Sequence, residues 1–356
     1  MEGGKMKARV AIFGSGSIGS AIAEYLLKDR AVSEIVLFGQ DKKDLGKVLR
    51  QLSSKKVRAV VCDITKAKTS LLAPYDIVFN ALPGSVALAG AELALAAQKN
   101  LIDVSDLDFA EYKHLKKKAV NGGVIFVPEC GVSPGLTNLI VGAESERLGK
   151  LSRIEIRAGT LSPSHPFVFP VTWNPEDLIA GHLAPALAIV SGRKRAFQPF
   201  SRYQREFVKG VGEFETYVEE GLSTLPQTVS APNMTYRVIR PIGFMHFFLF
   251  LKNHGMLDDF ATAGPQGIDN LTLIIVDVSG RKGTASWIVQ SRSSKGETLN
   301  SMQKLTALLP VAVLQMILSG KIQKTGMVLT EELGREGALP FVLKVLRAHG
   351  LSVRRH

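Results

Sequence analysis

The stretch Gly14-Ser15-Gly16-Ser17-Ile18-Gly19 spaces three glycines so that a backbone can turn tightly and lie against an anion. Gly14 permits the turn, Gly16 lets the chain approach a ligand, and Gly19 lets the following helix pack close to the preceding strand. The N–H groups that open such a helix lack intrahelical partners and sit at the positive end of its dipole, which suits a phosphate. The spacing alone is common in ordinary turns, and its setting gives it weight. Residues 9–13 before it are short, apolar and β-branched, and Ala21, Ile22, Tyr25 and Leu26 after it share one helical face. A second apolar strand follows at 34–38. That order of strand, turn, helix and strand belongs to a unit that binds the pyrophosphate of a dinucleotide.

Where the second strand ends, an NAD-binding unit commonly presents Asp or Glu to the ribose 2′-hydroxyl, whereas a small residue with cations nearby suits a 2′-phosphate. Here Gly39-Gln40 occupy that place, followed by Asp41, Lys42 and Lys43. The reading is therefore NADP or NAD with a lean toward NADP, although the two lysines also suit the solvated start of a helix. Asp63 and Ile64, after a third strand, are candidates to lie beside adenine. Ala81-Leu82-Pro83-Gly84, after Asn80, ends a fourth at the switch region. Ordinary strand-end turns are the competing explanation for both.

These residues need elements to hold them, and the pattern supplies them. Strands at 57–62, 77–81, 101–104 and 124–127 alternate with helices through Leu45, Val48, Leu49 and Leu52 and through 87–98. Repeated strand–helix units predict an α/β fold, a Rossmann-type doubly wound parallel sheet with ligands at the carboxyl ends of its strands. Gly131, Pro134 and Gly135 then break the alternation. Beyond them, strands at 154–159, 271–278 and 284–290, the last two joined as a hairpin through 279–283, predict an α+β domain with a mixed or antiparallel sheet. An amphipathic helix at 302–318, interrupted by Pro310, and a final helix at 339–349 close the chain.

At 356 residues two domains are expected. Cys62 and Cys130 have no metal-site or redox-pair spacing, and a reducing, cytoplasmic setting is the simplest reading. No secretory leader and no uninterrupted apolar run of membrane-spanning length is evident, so the expectation is a soluble protein with no membrane partner. The net charge of +12 is spread along the chain. Its local runs, at 113–118, Arg193–Arg195 and Arg354-Arg355, lack the aromatic interleaving of a nucleic-acid module, so no nucleic-acid partner is expected. No HExxH, Ser/His/Asp set or metal-ligand cluster offers a rival chemistry, and no metal is expected.

A series of motifs in one order carries a resemblance. VAIFGSGSIGSAIAEYL (10–26), NALPG (80–84), IDVSD (102–106), CGVSPGLTN (130–138), VTWNPEDLI (171–179), FETYVEEGLSTL (214–225) and YRVIRPIG (236–243) together resemble the saccharopine dehydrogenase family, most closely its lysine 6-dehydrogenase branch. The resemblance implies a dinucleotide-binding domain made of residues 1–132 and about 302–356, and a substrate domain of residues 133–301. It implies hydride transfer between nicotinamide and an amine-bearing carbon of a lysine- or saccharopine-like amino acid or amine, through an imine. It also implies a homodimer, formed through the second domain's sheet. On this resemblance the Leu82-Pro83-Gly84 segment and Asp103-Val104-Ser105 border the nicotinamide, Pro134-Gly135 shape the cleft, and Thr172, Trp173 and Arg240 line the substrate side.

Arg240 suits an α-carboxylate because its planar fork makes two charge-assisted hydrogen bonds, and a structural ion pair explains it equally well. Trp173 is more often a core residue than a ligand contact. The chain departs from the family where Pro241-Ile242-Gly243-Phe244 replaces a run ending in histidine. His182 stands where that branch tends to have tyrosine, as do Phe167 and Phe169. Oxidising an amine requires loss of a proton, and Asp106, His182 and His246 are the candidate bases. The lost histidine and the apolar replacements motivate an alternative: a non-catalytic NAD(P)-binding protein of the same fold, acting as a sensor or assembly partner.

Overall fold

Strands buried on both faces read as continuous apolar runs, and those of the first sheet do so. β1 (Ala8–Phe13), β2 (Val32–Gly39), β3 (Val57–Val61), β4 (Ile77–Asn80), β5 (Asn100–Asp103) and β6 (Ile125–Val127) alternate with α1 (Ser17–Leu27), α2 (Lys42–Leu52), α3 (Gly84–Ala96) and α4 (Phe109–Gly122). The computed structural model describes residues 7–105, 107, 109–165, 168–172, 174–263 and 268–356. Within them the sheet runs β3-β2-β1-β4-β5-β6 and ends on Gly326–Met327, with every pairing parallel. The strand order reverses between β1 and β4, which makes their carboxyl ends the topological switch point. Phe13, Asn80 and Asp103 stand level across β1, β4 and β5, so the residues after them emerge side by side. Phe13, Phe38 and Tyr75 meet edge-on beneath, at centroid distances of 5.8 and 5.7 Å. Burial of each such ring stabilises the sheet by roughly 1.5–3 kcal/mol.

The second sheet is mixed. After α5 (Leu136–Leu148) come β7 (Leu151–Leu161), α6 (Pro175–Leu183), β8 (Ala186–Val190), β9 (Arg193–Phe197), β10 (Gln204–Val208), β11 (Gly212–Val218), the short α7 (Leu225–Thr228) and β12 (Met234–Arg240). There follow α8 (Phe244–Asn253), α9 (Leu257–Ala263), β13 (Asn270–Gly280), β14 (Gly283–Ser293), α10 (Ser301–Leu318), β15 (Gly326–Met327), α11 (Thr330–Arg335), α12 (Leu339–Ala348) and β16 (Ser352–Arg355). The order is β10-β11-β12-β7-β13-β14-β16, with β8 bridging β12 and β9. Only β12 and β7 run parallel; the other pairs are antiparallel.

The chain divides into Met1–Leu136 with Thr306–Leu333, and Thr137–Leu305 with Gly334–His356. The division departs from the sequence expectation at the tail, because residues 334–356 belong to the second unit. β16 pairs antiparallel with β14 from Trp287↔Arg355 to Gln290↔Ser352, covering an edge that would otherwise expose unpaired amides. Buried Glu144 anchors it, accepting from Trp287 Nε1 at 2.8 Å and from Arg355 Nε at 2.9 Å. A second departure is α10, which runs unbroken through Pro310. Proline removes one helical hydrogen bond, but its neighbours Leu308, Leu309, Val311 and Ala312 are all buried, and their packing holds the helix. With 18 residues and mean hydropathy 1.4, α10 is long and apolar enough by composition to cross a membrane, which the sequence reading expected of no segment; 61% of it is buried, as in a core helix.

Candidate functional site

The glycine turn is a cradle of backbone. Gly14 has φ +98°, and a Cβ there would lie 2.5 Å from the Ala81 carbonyl oxygen. A Cβ on Gly19 would lie 2.0 Å from the Gly14 carbonyl oxygen, so α1 packs against the turn at a distance only glycine allows. Gly14 N–H donates to Phe38 O and Ala81 N–H to Phe13 O, both at 2.9 Å, which ties the turn to β2 and β4. Gly16 is the N-cap of α1, no side chain caps that helix, and a Cβ on Gly16 would meet nothing within 4 Å. Gly16 and Ser17 are exposed, while Ser15 and Ile18 are half-buried. The cradle is tight where the protein packs on itself and open on the side of the helix N-terminus. A pyrophosphate fits it.

At the end of β2, Gly39 packs against Ser15, whose Oγ a Cβ would approach to 2.6 Å. Gln40, Asp41, Lys42 and Lys43 are exposed. Asp41 Oδ1 accepts from Lys43 N at 2.6 Å and from Asp44 N at 3.1 Å, so this carboxylate caps α2, and Lys42 and Lys43 occupy the first turn. Asp63 is likewise engaged with its own turn. It accepts from Thr65 N and Oγ1 and pairs with Lys66 at 3.2 Å, and the Thr65 hydroxyl leads in holding its carboxyl down to about 2. Ile64 corrects the sequence expectation of an adenine contact: it is buried in the core that includes Phe38, Leu72 and Ala91.

Beside the turn, the ends of β4 and β5 are joined by polar side chains. Asn80 Nδ2 donates to Asp103 Oδ2 and to the Ala87 carbonyl, both at 2.9 Å. Asp103 Oδ1 accepts from Ser105 N at 2.7 Å and from the Ser105 hydroxyl. Complete burial raises the Asp103 carboxyl to about 6 against the pull of those donors. Val104 N–H donates to Asn80 O at 3.0 Å, and Cys130 N–H to Asp103 O at 2.7 Å. Ala81 and Leu82 are half-buried, while Pro83 and Gly84 are exposed at the start of α3, which no side chain caps. Pro134-Gly135 form a tight return: Gly135 has φ +125°, bridges Gly131, and has no room for a Cβ, which would lie 2.2 Å from Gly131 O.

In the second unit, α6 starts where Asn174 caps the amides of Glu176 and Asp177, with Pro175 in its first turn. The helix delivers His182 to Arg240 at the end of β12. His182 Nδ1–H donates to the Leu178 carbonyl at 2.8 Å, which leaves the Nε2 lone pair to accept from Arg240 Nε at 3.0 Å. Burial, then the arginine's charge, pushes the imidazole well below its usual pKa. His182 is therefore not a proton acceptor, contrary to its candidacy as a base; it orients Arg240. Aromatic rings of Phe200, Tyr217, Phe244 and Phe248 surround it.

His246 is exposed on α8 and is not brought to this cluster. Thr172 Oγ1 donates to Thr160 in a buried chain of hydroxyls that continues through Thr272 to Ser301, so its hydroxyl serves packing within the unit. Asp106, Trp173 and Phe167 lie outside the described residues. Two acids escaped the sequence reading. Glu215, fully buried on β11, accepts from Gly243 N at 2.8 Å and Met245 N at 2.6 Å, capping α8 directly after Arg240. Glu219 Oε2 lies 3.7 Å from His182 Nε2, and burial raises its carboxyl to about 7. Acids two residues either side of Tyr217, Glu215 on β11 and Glu219 just past its end, were the available signal.

Comparison with known proteins bears on the first unit most directly. Residues 10–127 match the family model described as the saccharopine dehydrogenase NADP binding domain. With the cradle above, this unit is similar to that domain and binds NAD(P). The chain is 24% identical over 195 residues to the mitochondrial alpha-aminoadipic semialdehyde synthase of Bos taurus, and 25% identical over 199 residues to that of Mus musculus. Each match takes in 52% of this chain and 21% of the relative's length. Among solved structures, saccharopine dehydrogenase (L-Glu forming) from Saccharomyces cerevisiae superposes with a TM-score of 0.77 at 14% identity, covering 98% of this chain and 100% of that one. At that identity the likeness is one of fold.

Proposed function

We propose that the chain is an NAD(P)-dependent oxidoreductase acting on the C–N bond of a lysine- or saccharopine-like amino acid or amine, with NADP preferred. The observation that carries this reading is the glycine cradle at the switch point, where a Cβ on Gly14 or Gly19 would strike backbone while one on Gly16, at the N-terminus of α1, would meet nothing. The bound nicotinamide supplies the hydride acceptor or donor. The chain's own residues do the rest: the turn from Gly14 to Gly19 holds the pyrophosphate, and Lys42 and Lys43, in the first turn of α2, supply positive charge for a 2′-phosphate. Asn80 and Ser105 hold the ends of β4 and β5 in register beside the turn. Arg240, oriented by His182, takes the carboxylate of the amino acid. The names of the relatives support the amino-acid class. The same reading has the enzyme working as a homodimer in a reducing, cytoplasmic compartment, with Cys62 and Cys130 free.

The test has two steps. Titration with NADH and NADPH measures the cofactor, and a screen of lysine, saccharopine, diaminopimelate-type and polyamine-type substrates, followed at the nicotinamide absorbance, measures turnover. Arg240→Lys keeps the charge but loses the fork, and is expected to raise KM for the amino acid while sparing cofactor affinity. One observation favours the second reading, a non-catalytic cofactor-binding sensor: His182 is locked as a hydrogen-bond acceptor for Arg240 and has no lone pair left for a proton. Tight cofactor binding without turnover on any of these substrates would select it.

A further inference from the structure

A cavity of about 460 Å³ opens on one face of the second unit's sheet, away from Arg240 and His182. Arg153 and Glu155 from β7 and Thr235 and Arg237 from β12 line it, each pair spaced by two and so on one face of its strand. Arg202 and Tyr203, just before β10, and Val190 at the end of β8 also line it. The lining carries three guanidinium groups and one carboxylate, and that carboxylate is paired with Arg153 at 2.6 Å.

Arg237 is the unusual member, being only 3% exposed. Its Nε donates to the Thr216 hydroxyl at 3.0 Å; its Nη2 donates to that hydroxyl, to Thr216 O, and to Arg202 O at 2.7 Å. Glu155 and Glu206 lie near enough to favour its charge, and the Thr216 hydroxyl donates to Glu206 at 2.8 Å, yet burial outweighs both acids and lowers the pKa of Arg237. Burial thus leaves the guanidinium's charge only partly compensated, a cost that an anion in the cavity relieves. Arg202 is exposed and lies over the Phe197 ring at 5.0 Å. The basic run Arg193-Lys194-Arg195, left unexplained by the dinucleotide site, begins at the hairpin residue paired with Val190. It adds positive potential at the cavity rim, where it draws anions in.

We infer that this cavity is a second ligand site, taking a small organic dianion, a phosphate monoester or a dicarboxylate. Buried Arg237 is the anchor, and Arg202 and Arg153 close on the second charge.

Calorimetric titration of the full chain with glycerol phosphate and with glutarate, using acetate as a single-charge control, tests it. At least one dianion is expected to bind at a single site, at least about ten-fold more tightly than acetate. Because Arg237 is buried, the exposed arginines carry the test: Arg202→Gln, which spares the Arg202 carbonyl that holds Arg237, is expected to weaken the dianion about ten-fold. Arg153→Gln with Arg202→Gln should weaken it further, with NADPH affinity unchanged in both. Failure of both dianions to bind, or equal binding by the double variant, overturns the proposal. So does a double variant whose only change is in self-association, which would make this face a contact between copies.

Discussion

Alanine at Gly16 should leave the fold nearly untouched while weakening dinucleotide binding about ten- to a thousand-fold. The backbone there has φ −75° and ψ −162°, which alanine adopts freely, and the new methyl would meet no protein atom within 4 Å. The remaining cost to stability is that of alanine rather than glycine at a helix N-cap, roughly 0.5–1 kcal/mol. The methyl would project into the open space ahead of α1, where the backbone must approach the pyrophosphate. Losing one amide donor to the phosphates and weakening a second forfeits about 1.5–4 kcal/mol, since each bond to a charged acceptor contributes on the order of 1.5–3 kcal/mol. Gly19→Ala is the contrast: its methyl would sit 2.0 Å from Gly14 O and 3.0 Å from Gly14 C, both backbone atoms that cannot rotate away. It should lower stability by about 1–3 kcal/mol as well as cofactor affinity. The measurement pairs thermal melting with NADPH fluorescence titration on both variants. A Gly16→Ala protein that binds NADPH as tightly as its parent, or that melts as early as Gly19→Ala, would refute the assignment of the turn.

Lys42→Ala with Lys43→Ala should weaken NADPH by about ten-fold and leave NADH unchanged; an equal loss for both would remove the lysines from the 2′-phosphate site. His182→Phe fills the same space but takes away the acceptor for Arg240 Nε, so urea unfolding should register a loss of about 1.5–3 kcal/mol with unaltered cofactor affinity. His182→Gln, which retains an acceptor, should recover part of it. Asp103 sets a pH dependence. Burial raises its carboxyl from an ordinary 3.8 to about 6, so the folded state holds this proton more tightly than the unfolded chain does. That stabilising contribution, on the order of 3 kcal/mol, is present in full below pH ~4 and is lost as pH rises through about 6. The stability of the parent relative to Asp103→Asn should therefore fall across that interval, and parallel pH curves for the two proteins would contradict it.

Although α4 and β15 were not, the glycine turn, the strands β1 to β6 with the helices α1 to α3, and the β13–β14 hairpin were legible in the amino-acid sequence alone. Each depends on neighbours in the chain: a period of two or 3.6 in apolar residues, and glycines where a Cβ has no room. What required the tertiary structure was every role set by a distant partner. Nothing in Ser352 to Arg355 announces a strand until Glu144 and the open edge of β14 are beside it. Asp41 stands among the candidate cofactor residues at the end of β2 until its carboxylate is found capping α2, and Ile64 as an adenine contact until the core closes over it. His182 has the composition of a base, and only the approach of Arg240 to Nε2 and of the Leu178 carbonyl to Nδ1 decides its proton. Arg237 looked like any strand arginine; burial beside Thr216 makes it an anchor. Local sequence sets backbone shape because its energies act over a few residues, whereas the protonation and pairing of a polar side chain are set by burial and by whichever charges folding brings to it.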